Sequence, residues 1–443
     1  MWQSSSSTTH VIAKPANGGG VAIQAIIVEC FMSTFNLERG RFSPELEKYK
    51  NELGEPTKYG EALTIVGHPF AEPVANQDLI NIALSLGLEE SKLESVKKAV
   101  AATGFTTRYF SYLPGQEFDL NKSLDRVTDI GALLLSETLK AKGWEDGFDL
   151  FIDTSAFLPT SVNKEVLRKI GAKDGTVSSR SYRYACAGAV GAFIDCLSDP
   201  SLADARIVIG ALEPLSWLLD ESQFMAPETI AFPSIFGDAN TFMAFEPSRF
   251  ILDEKKIVVR PDGGVIKLKT MYQHDQFTSR STSIPDYYEF ADHGEEIFNY
   301  SPEGAFLNIP TPENGSAVSM DGMATGFFFG DKTTEVITDL LNSYGNKNLL
   351  NQLAGKNVIM HPASKPVVDR IAKLLYRNGR YLEKPELPFL MDKARYSNGS
   401  SATTINRWRY MIQNNMLDHH QPMLWIAPGI GSAIAGAIGW INP

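Results

Sequence analysis

Cys186 lies in the run Tyr184-Ala185-Cys186-Ala187-Gly188-Ala189-Val190-Gly191-Ala192-Phe193. One thiol followed at once by small residues reads as a cysteine in the first turn of a buried helix. The positive end of a helix dipole and the unpaired N–H groups there favour negative charge and lower a thiol pKa. Small neighbours let a substrate carbonyl reach the sulfur. A buried cysteine with a packing role is the commoner fate of this residue type, so the reading depends on what else the chain carries. His361 ends the apolar run Val358-Ile359-Met360 and is followed by Pro362-Ala363. Asn398 stands before Gly399 in Tyr396-Ser397-Asn398-Gly399-Ser400-Ser401-Ala402-Thr403. Alone, His361 reads as a core histidine with satisfied nitrogens, and Asn398 as a turn residue. Gly429-Ile430-Gly431 reads as a bend before the last strand, not a phosphate cradle, because no helix with a nearby lysine follows it. Asp238 reads as a turn acid bonded to backbone, Arg108 as a surface or interface charge, Cys196 as core, and His419-His420 as exposed.

The elements around these residues alternate. Glu89–Ala102 carries Leu93, Val96, Ala99 and Val100 at helical spacing and stops at Gly104. Leu124–Lys142 repeats that pattern and stops at Gly143. Strands are expected at Val21–Glu29, Phe148–Asp153, Ile207–Gly210, Thr241–Glu246, Val358–Met360 and Ala433–Ile441. Helices are expected at Thr333–Tyr344, Val367–Leu375 and Asn406–Met416. Pro261-Asp262-Gly263-Gly264 between two β-branched runs signals a hairpin. Residues 1–20 read as a flexible leader, 35–75 as a surface insertion, and 271–325 as a long cover or interface loop. Strand–helix alternation in both halves argues an α/β fold with covered sheets. The halves are set at 21–225 and 226–443.

The composition narrows the function classes. A net charge of −11 gives no basic bias for a nucleic-acid surface. Three cysteines, Cys30, Cys186 and Cys196, form neither a disulfide framework nor a zinc spacing, which fits a reducing cytoplasm. Met1–Thr9 lacks the basic stretch and apolar core of a secretory signal. Ile426–Ile441 is rich in Gly, Ala and Ser and short for a membrane span, so it reads as a buried strand with a Gly-rich entry. No metal site, nucleic-acid partner or membrane partner is expected.

Six motifs fall in order: Thr103-Gly104-Phe105-Thr106-Thr107-Arg108, the Cys186 run, Ile235-Phe236-Gly237-Asp238, His361-Pro362-Ala363, the Asn398 run, and Pro428-Gly429-Ile430-Gly431-Ser432. This order resembles the thiolase superfamily, most closely its 3-oxoacyl-ACP synthase III branch, over roughly residues 20–34 and 85–443. The resemblance implies a thiolase-like duplicated five-layer α-β-α-β-α architecture and a homodimer. It implies Cys186 as nucleophile, His361 and Asn398 as its partners, and an oxyanion hole from the backbone N–H groups of Cys186 and Gly431. It implies no cofactor, with acyl-coenzyme A or acyl carrier protein thioesters as substrates. Cys186 would accept an acyl group. His361 and the Asn398 side-chain N–H would then hold the thioester oxygen of a decarboxylating malonyl-type substrate, donors worth roughly 3 kcal/mol each. A neutral amide at 398 favours carbanion stabilisation over simple acyl transfer. Thiolases use a second cysteine in the C-terminal Gly-rich loop, and Gly429–Gly436 has none.

The chain departs from that branch in three places. Pro362-Ala363-Ser364 stands where Gln-Ala-Asn usually follows the histidine, Ala102 stands where an arginine touches coenzyme A, and the chain is about 100 residues longer. These departures point to polyketide, specialised lipid or secondary metabolism. Lys365, Arg370, Lys373, Arg377 and Arg380 follow His361 and could steer an acidic acyl carrier protein; a solvated helix face explains them equally. The alternatives are an acyltransferase to an alcohol or amine, and a catalytically silent heterodimer partner. A 3-hydroxy-3-methylglutaryl-type synthase is weaker, because no glutamate base is identified.

Overall fold

Two mixed β-sheets carry the chain. The computed structural model describes residues 53–259 apart from 157, 160, 174 and 183; 322–377 apart from 347, 354 and 355; 397–429; and 433–443. It also describes Lys50, Leu387 and three short strands. These residues belong to one unit, Ser33–Pro443. The expected leader 1–20, strand Val21–Glu29, Cys30, hairpin 261–264 and most of loop 271–325 lie outside the described residues.

The first sheet has the order β1-β2-β8-β7-β5-β6. Its strands are β1 (Thr57–Tyr59), β2 (Leu63–Gly67), β5 (Leu150–Asp153), β6 (Ser178–Ser181), β7 (Ile207–Glu213) and β8 (Ala239–Phe245). A ribbon of β3 (Glu72–Ala75) and β4 (Thr107–Phe110) stands beside it. The second sheet has the order β11-β9-β15-β14-β13, from β9 (Phe250–Val259), β11 (Tyr288–Phe290), β13 (Val358–Met360), β14 (Met423–Gly429) and β15 (Ala433–Ile441). Short strands β10 (Lys269–Thr270) and β12 (Val318–Ser319) pair separately.

Five helices set the layers. Helix α1 (Leu120–Lys142) packs on the outer face of the first sheet, burying Val127, Ile130, Leu134 and Leu135 against Phe151, Val208 and Phe242. Helices α3 (Gly322–Ser343) and α4 (Lys365–Arg377) cover the outer face of the second sheet through Val336, Ile337, Leu340, Val368 and Ile371. Between the sheets lie α2 (Gly188–Ser198) and α5 (Ser401–Gln413), which touch strands of both. Their core joins Phe193, Trp408 and Trp425 to Ile207, Phe245, Ile257 and Ala435. The sequence explains α2's place: Gly188 to Cys196 is apolar or small on every side except Asp195, so no face needs water. The layers run α-β-α-β-α, the expected thiolase-like arrangement.

Two expectations fail here. Residues 35–75 are not simply a surface insertion, because β2 is buried at all five positions and pairs along its whole length with β8. The short apolar run Leu63-Thr64-Ile65-Val66 sits in a Pro-, Gly- and charge-rich background that hides it. The C-terminal stretch is two strands, not one: β14 and β15 pair antiparallel from Met423–Gly439 to Gly429–Ala433. Pro428 is tolerated inside β14 because β13 pairs only as far as Ile426, so the missing N–H faces no partner strand. Among the described residues no helix is long and apolar enough to cross a membrane.

Candidate active site

The cysteine turn leaves the edge strand β6 and enters the molecule. Ala185–Ala187 forms one 3₁₀ turn directly before α2, closed by Ala187 N–H donating to Tyr184 O at 3.0 Å. Cys186 therefore precedes the α-helix rather than sitting in its first turn. Ala185 holds a left-handed φ of +44°. Gly429 backs the turn: a Cβ there would fall inside contact distance of Tyr184 O and 2.7 Å from Ala187 N. Cys186 is 1 % exposed. Burial pushes its thiol up to about 12, and the charge of Glu213 pushes it further up. The expected lowering by the helix end is thus overturned, because desolvation outweighs the dipole.

His361 leaves β13, and its N–H donates to Ile426 O at 2.8 Å, continuing the ladder by one residue. The ring is fully buried, and among the described residues neither Nδ1 nor Nε2 has a hydrogen-bond partner. Burial, then the charge of Arg407, pushes its pKa down to about 3. At neutral pH the imidazole is uncharged, one nitrogen carrying a proton and the other able to accept one.

Asn398 is held at both backbone groups. Its N–H donates to Ile235 O at 2.9 Å, and its carbonyl accepts from Gly237 N–H at 3.2 Å. The two segments cross closely because Gly237 and Gly399 lack side chains; a Cβ on Gly237 would fall inside contact distance of Ser397 Oγ, and one on Gly399 inside that of Ala239 Cβ. The Asn398 Nδ2 donates to Ala363 O at 3.3 Å, and Oδ1 accepts from Ser400 N–H at 2.9 Å. A backbone N–H can only donate, so this pair of contacts fixes the amide orientation. Oδ1 thereby faces Cys186 Sγ at 3.8 Å. The expected Asn398 N–H is committed in part to the His361 loop, and one amide proton remains beyond that bond.

Three loops meet here, and each bears a non-glycine residue in the left-handed region: Ala185 at +44°, Ala363 at +49° and Ser400 at +49°. Backbone in that region costs on the order of 1–3 kcal/mol at each residue and persists where its surroundings over-determine it. Ala363 belongs to the Pro362-Ala363-Ser364 departure. Its main-chain carbonyl, not a side chain, ties the His361 loop to Asn398.

Asp238 is a structural acid, as expected: it accepts from Ser216 N–H at 2.7 Å, Ser216 Oγ at 2.8 Å and Ser111 N–H at 2.7 Å. Arg108 is not a surface charge. It is fully buried and donates to Asn76 Oδ1 at 2.8 Å and Ser234 O at 2.9 Å, which brace the segment before Gly237. Cys196 is buried in the core, and His419 and His420 are exposed. Gly431 lies outside the described residues. Ala102 ends the helix Leu93–Ala102 at an exposed position, and Lys365 N–H bonds to neighbouring Thr103 O at 3.0 Å.

Four of the five candidate docking cations lie on α4, and two of these are engaged. Lys365 pairs with Asp369 at 2.5 Å. Arg370 pairs with Asp331 through Nε and Nη2 at 2.9 and 3.1 Å and lies over Phe327. Lys373 and Arg377 are exposed, and Arg380 lies outside the described residues. No group of three or more His, Cys, Asp or Glu among the described residues could hold a metal ion.

Glu213 was missed by sequence reading. It ends β7, is fully buried, accepts from Ala156 N–H and from Ser401 N–H at 3.2 Å, and lies 2.7 Å from Ser401 Oγ. The signal was available: an acid closes the apolar run Ile207–Leu212 just before Pro214.

No protein-family model matches the chain, and no curated protein matches it in sequence. Solved structures do. Tetrahydroxynaphthalene synthase of Streptomyces coelicolor A3(2), a bacterial type III polyketide synthase, is 15% identical with a TM-score of 0.60, over 86% of this chain and 98% of that one. The 3-oxoacyl-ACP synthase III of Aquifex aeolicus VF5 is 15% identical with a TM-score of 0.57, over 87% and 100%. A type III pentaketide synthase of Neurospora crassa is 13% identical with a TM-score of 0.57, over 86% and 98%. The chain has the fold of these condensing enzymes.

Proposed function

We propose that this protein is a decarboxylating acyl-thioester condensing enzyme that loads an acyl group on Cys186. One observation carries the reading: a fully buried His361 has both ring nitrogens open among the described residues, in a loop tied by Asn398 to the cysteine turn. Buried polar atoms are ordinarily bonded, so an open pair in a loop linked through Asn398 to a buried thiol suits a substrate oxygen or proton. The fold shared with polyketide and 3-oxoacyl synthases supports the same chemistry.

The protonation states shape the steps. With its thiol up at about 12, Cys186 holds almost no thiolate at rest. Attack on a thioester must therefore be coupled to proton removal; neutral His361 takes that proton in this reading, and bound substrate must first raise its proton affinity from the resting value of about 3. The C–S bond to Cys186 forms, the thioester C–S bond breaks, and the imidazolium returns the proton to the leaving thiolate, which departs as a thiol. Neutral again, His361 offers an N–H to the second substrate. A malonyl-type thioester loses carbon dioxide, and its electron pair moves onto the thioester oxygen. His361 and the remaining amide proton of Asn398 are the donors for that oxygen. The carbanion attacks the acyl-Cys186 carbonyl, whose oxygen the family resemblance assigns to the backbone N–H groups of Cys186 and Gly431. The carbon–carbon bond forms, and the thiolate of Cys186 leaves and takes a proton from water.

The substrates are acyl-coenzyme A or carrier-protein thioesters. Exposed Lys373 and Arg377 are the cations to which an acidic carrier would dock, and Arg370 and Lys365 serve first as intramolecular ion pairs. The departures at Ala102 and 362–364 favour a polyketide or specialised lipid product over fatty-acid initiation. The protein works as a homodimer in the cytoplasm, where free Cys186 and Cys196 stay reduced.

Intact-protein mass spectrometry after incubation with a panel of acyl thioesters tests this. A mass gain on wild type, absent from Cys186→Ala, is expected, followed by carbon dioxide release on adding a malonyl thioester. No adduct across the panel would sink the proposal. An adduct transferred to an alcohol or amine without carbon dioxide release would move the reading to simple acyl transfer.

A further inference from the structure

Glu213 sits behind the nucleophile, at the junction of three segments. Its carboxyl reaches Ala156 N–H after β5, and Ser401 N–H and Oγ at the start of α5, three residues beyond Asn398. The proton count there is informative. Ser401 Oγ carries one proton, yet it lies 2.8 Å from Thr154 O and 2.7 Å from Glu213 Oε1. Both are acceptors if Glu213 is a carboxylate, so one short contact would lack a hydrogen. If Glu213 carries its own proton, it donates to Ser401 Oγ, Ser401 donates to Thr154 O, and both contacts are hydrogen bonds.

We infer that Glu213 is a positioning residue held as a neutral carboxylic acid, which clamps the Asn398 loop while keeping negative charge away from Cys186. The titratable groups facing it are Asp153, at the end of β5, and Cys186. Burial pushes its pKa up to about 8, and Asp153 adds to this in the same sense. Ionisation of Glu213 would put a buried charge near the thiol and disfavour the thiolate. A proton on Glu213 therefore suits the step in which Cys186 gives up its own.

This inference deepens the proposed function and rests on it for its meaning, but its test uses no thioester. Infrared difference spectra of wild type minus Glu213→Gln, taken at pH 6 and pH 9, report the protonated carboxyl directly. A protonated-acid band at pH 6 that gives way to carboxylate at pH 9 is expected. Carboxylate already at pH 6 overturns the proposal. In parallel, iodoacetamide labelling of Cys186 is followed from pH 6 to pH 10. Above pH 8 the Gln variant should label at least about threefold faster than wild type, because it lacks the second charge. Coincident rate–pH curves would also overturn it. Should the Gln variant not fold, the same titration on wild type carrying carbon-13 glutamate shifts the Glu213 band away from that of buried Asp238 and still decides the protonation state. An inactive protein that gives the expected spectra would count against the condensing reading and not against Glu213.

Discussion

His361 and Glu213 are buried groups whose proton affinities move in opposite directions, and both tie stability to pH. Folded His361 titrates near 3, against 6.5 when exposed, so below 6.5 the unfolded chain binds the extra proton. Its contribution is complete above pH 6.5 and is lost as pH falls, by up to about 1.4 kcal/mol per unit. Folded Glu213 titrates near 8 against 4.5, so the folded chain binds the extra proton, and its contribution is lost as pH rises from 4.5 to 8. Between pH 4.5 and 6.5 the two slopes oppose each other. Urea unfolding of His361→Gln should therefore show stability falling with rising pH in that window, where wild type is flatter. Parallel curves for the two proteins would contradict this. At this scale the sequence was legible in residue types and order: Asn398 reaches Cys186 at 3.8 Å and also bonds the loop that His361 opens. Ionisation states and the facing atom of Asn398 were not legible. They depend on burial and on Ser400 N–H, which only the folded chain brings to Oδ1.

Strand ends and glycines place these groups, and Gly429 at the end of β14 gives the sharpest test among the elements. A methyl group there would push against Tyr184 O and Ala187 N, the two atoms that close the cysteine turn. Gly429→Ala should slow iodoacetamide labelling of Cys186 at least tenfold or change its pH dependence, with far-ultraviolet circular dichroism unchanged. Wild-type labelling would show that the turn yields freely. Elements with a strong local pattern were legible: β13 and β15 match their expected limits, and α1 and α4 extend theirs by a few residues. Strand β2 was not, since five residues without alternation resemble any short apolar run. Arg108 was misjudged because charge alone says surface, while Asn76 and the carbonyl of Ser234, distant in sequence, make a buried site for it.

The middle layer governs the whole molecule. Phe193 touches Phe245, Phe250, Trp408 and Trp425, so one side chain joins both sheets and both inner helices. Neither sheet can expose its inner face without breaking that cluster, and the two halves should unfold together. Tryptophan fluorescence, which samples Trp408 and Trp425 in the middle layer and Trp144 and Trp217 in an outer core, should give the same urea midpoint as circular dichroism. Separate midpoints would mean that the halves are independently stable. Phe193→Ala should lower the common midpoint, with a loss of about 3–5 kcal/mol.

The three left-handed residues around the site also bear on engineering. Glycine adopts that backbone at no steric cost, so Ala185, Ala363 and Ser400 are the positions where a stabilised variant is easiest to obtain. They are equally the positions where it is least useful. A glycine there would relax the folded chain and loosen the hold on Cys186, His361 and Asn398 together. A screen that rewards heat resistance alone would thus select against the alignment on which turnover depends, and a thermostable descendant of this protein is best sought in its outer layers.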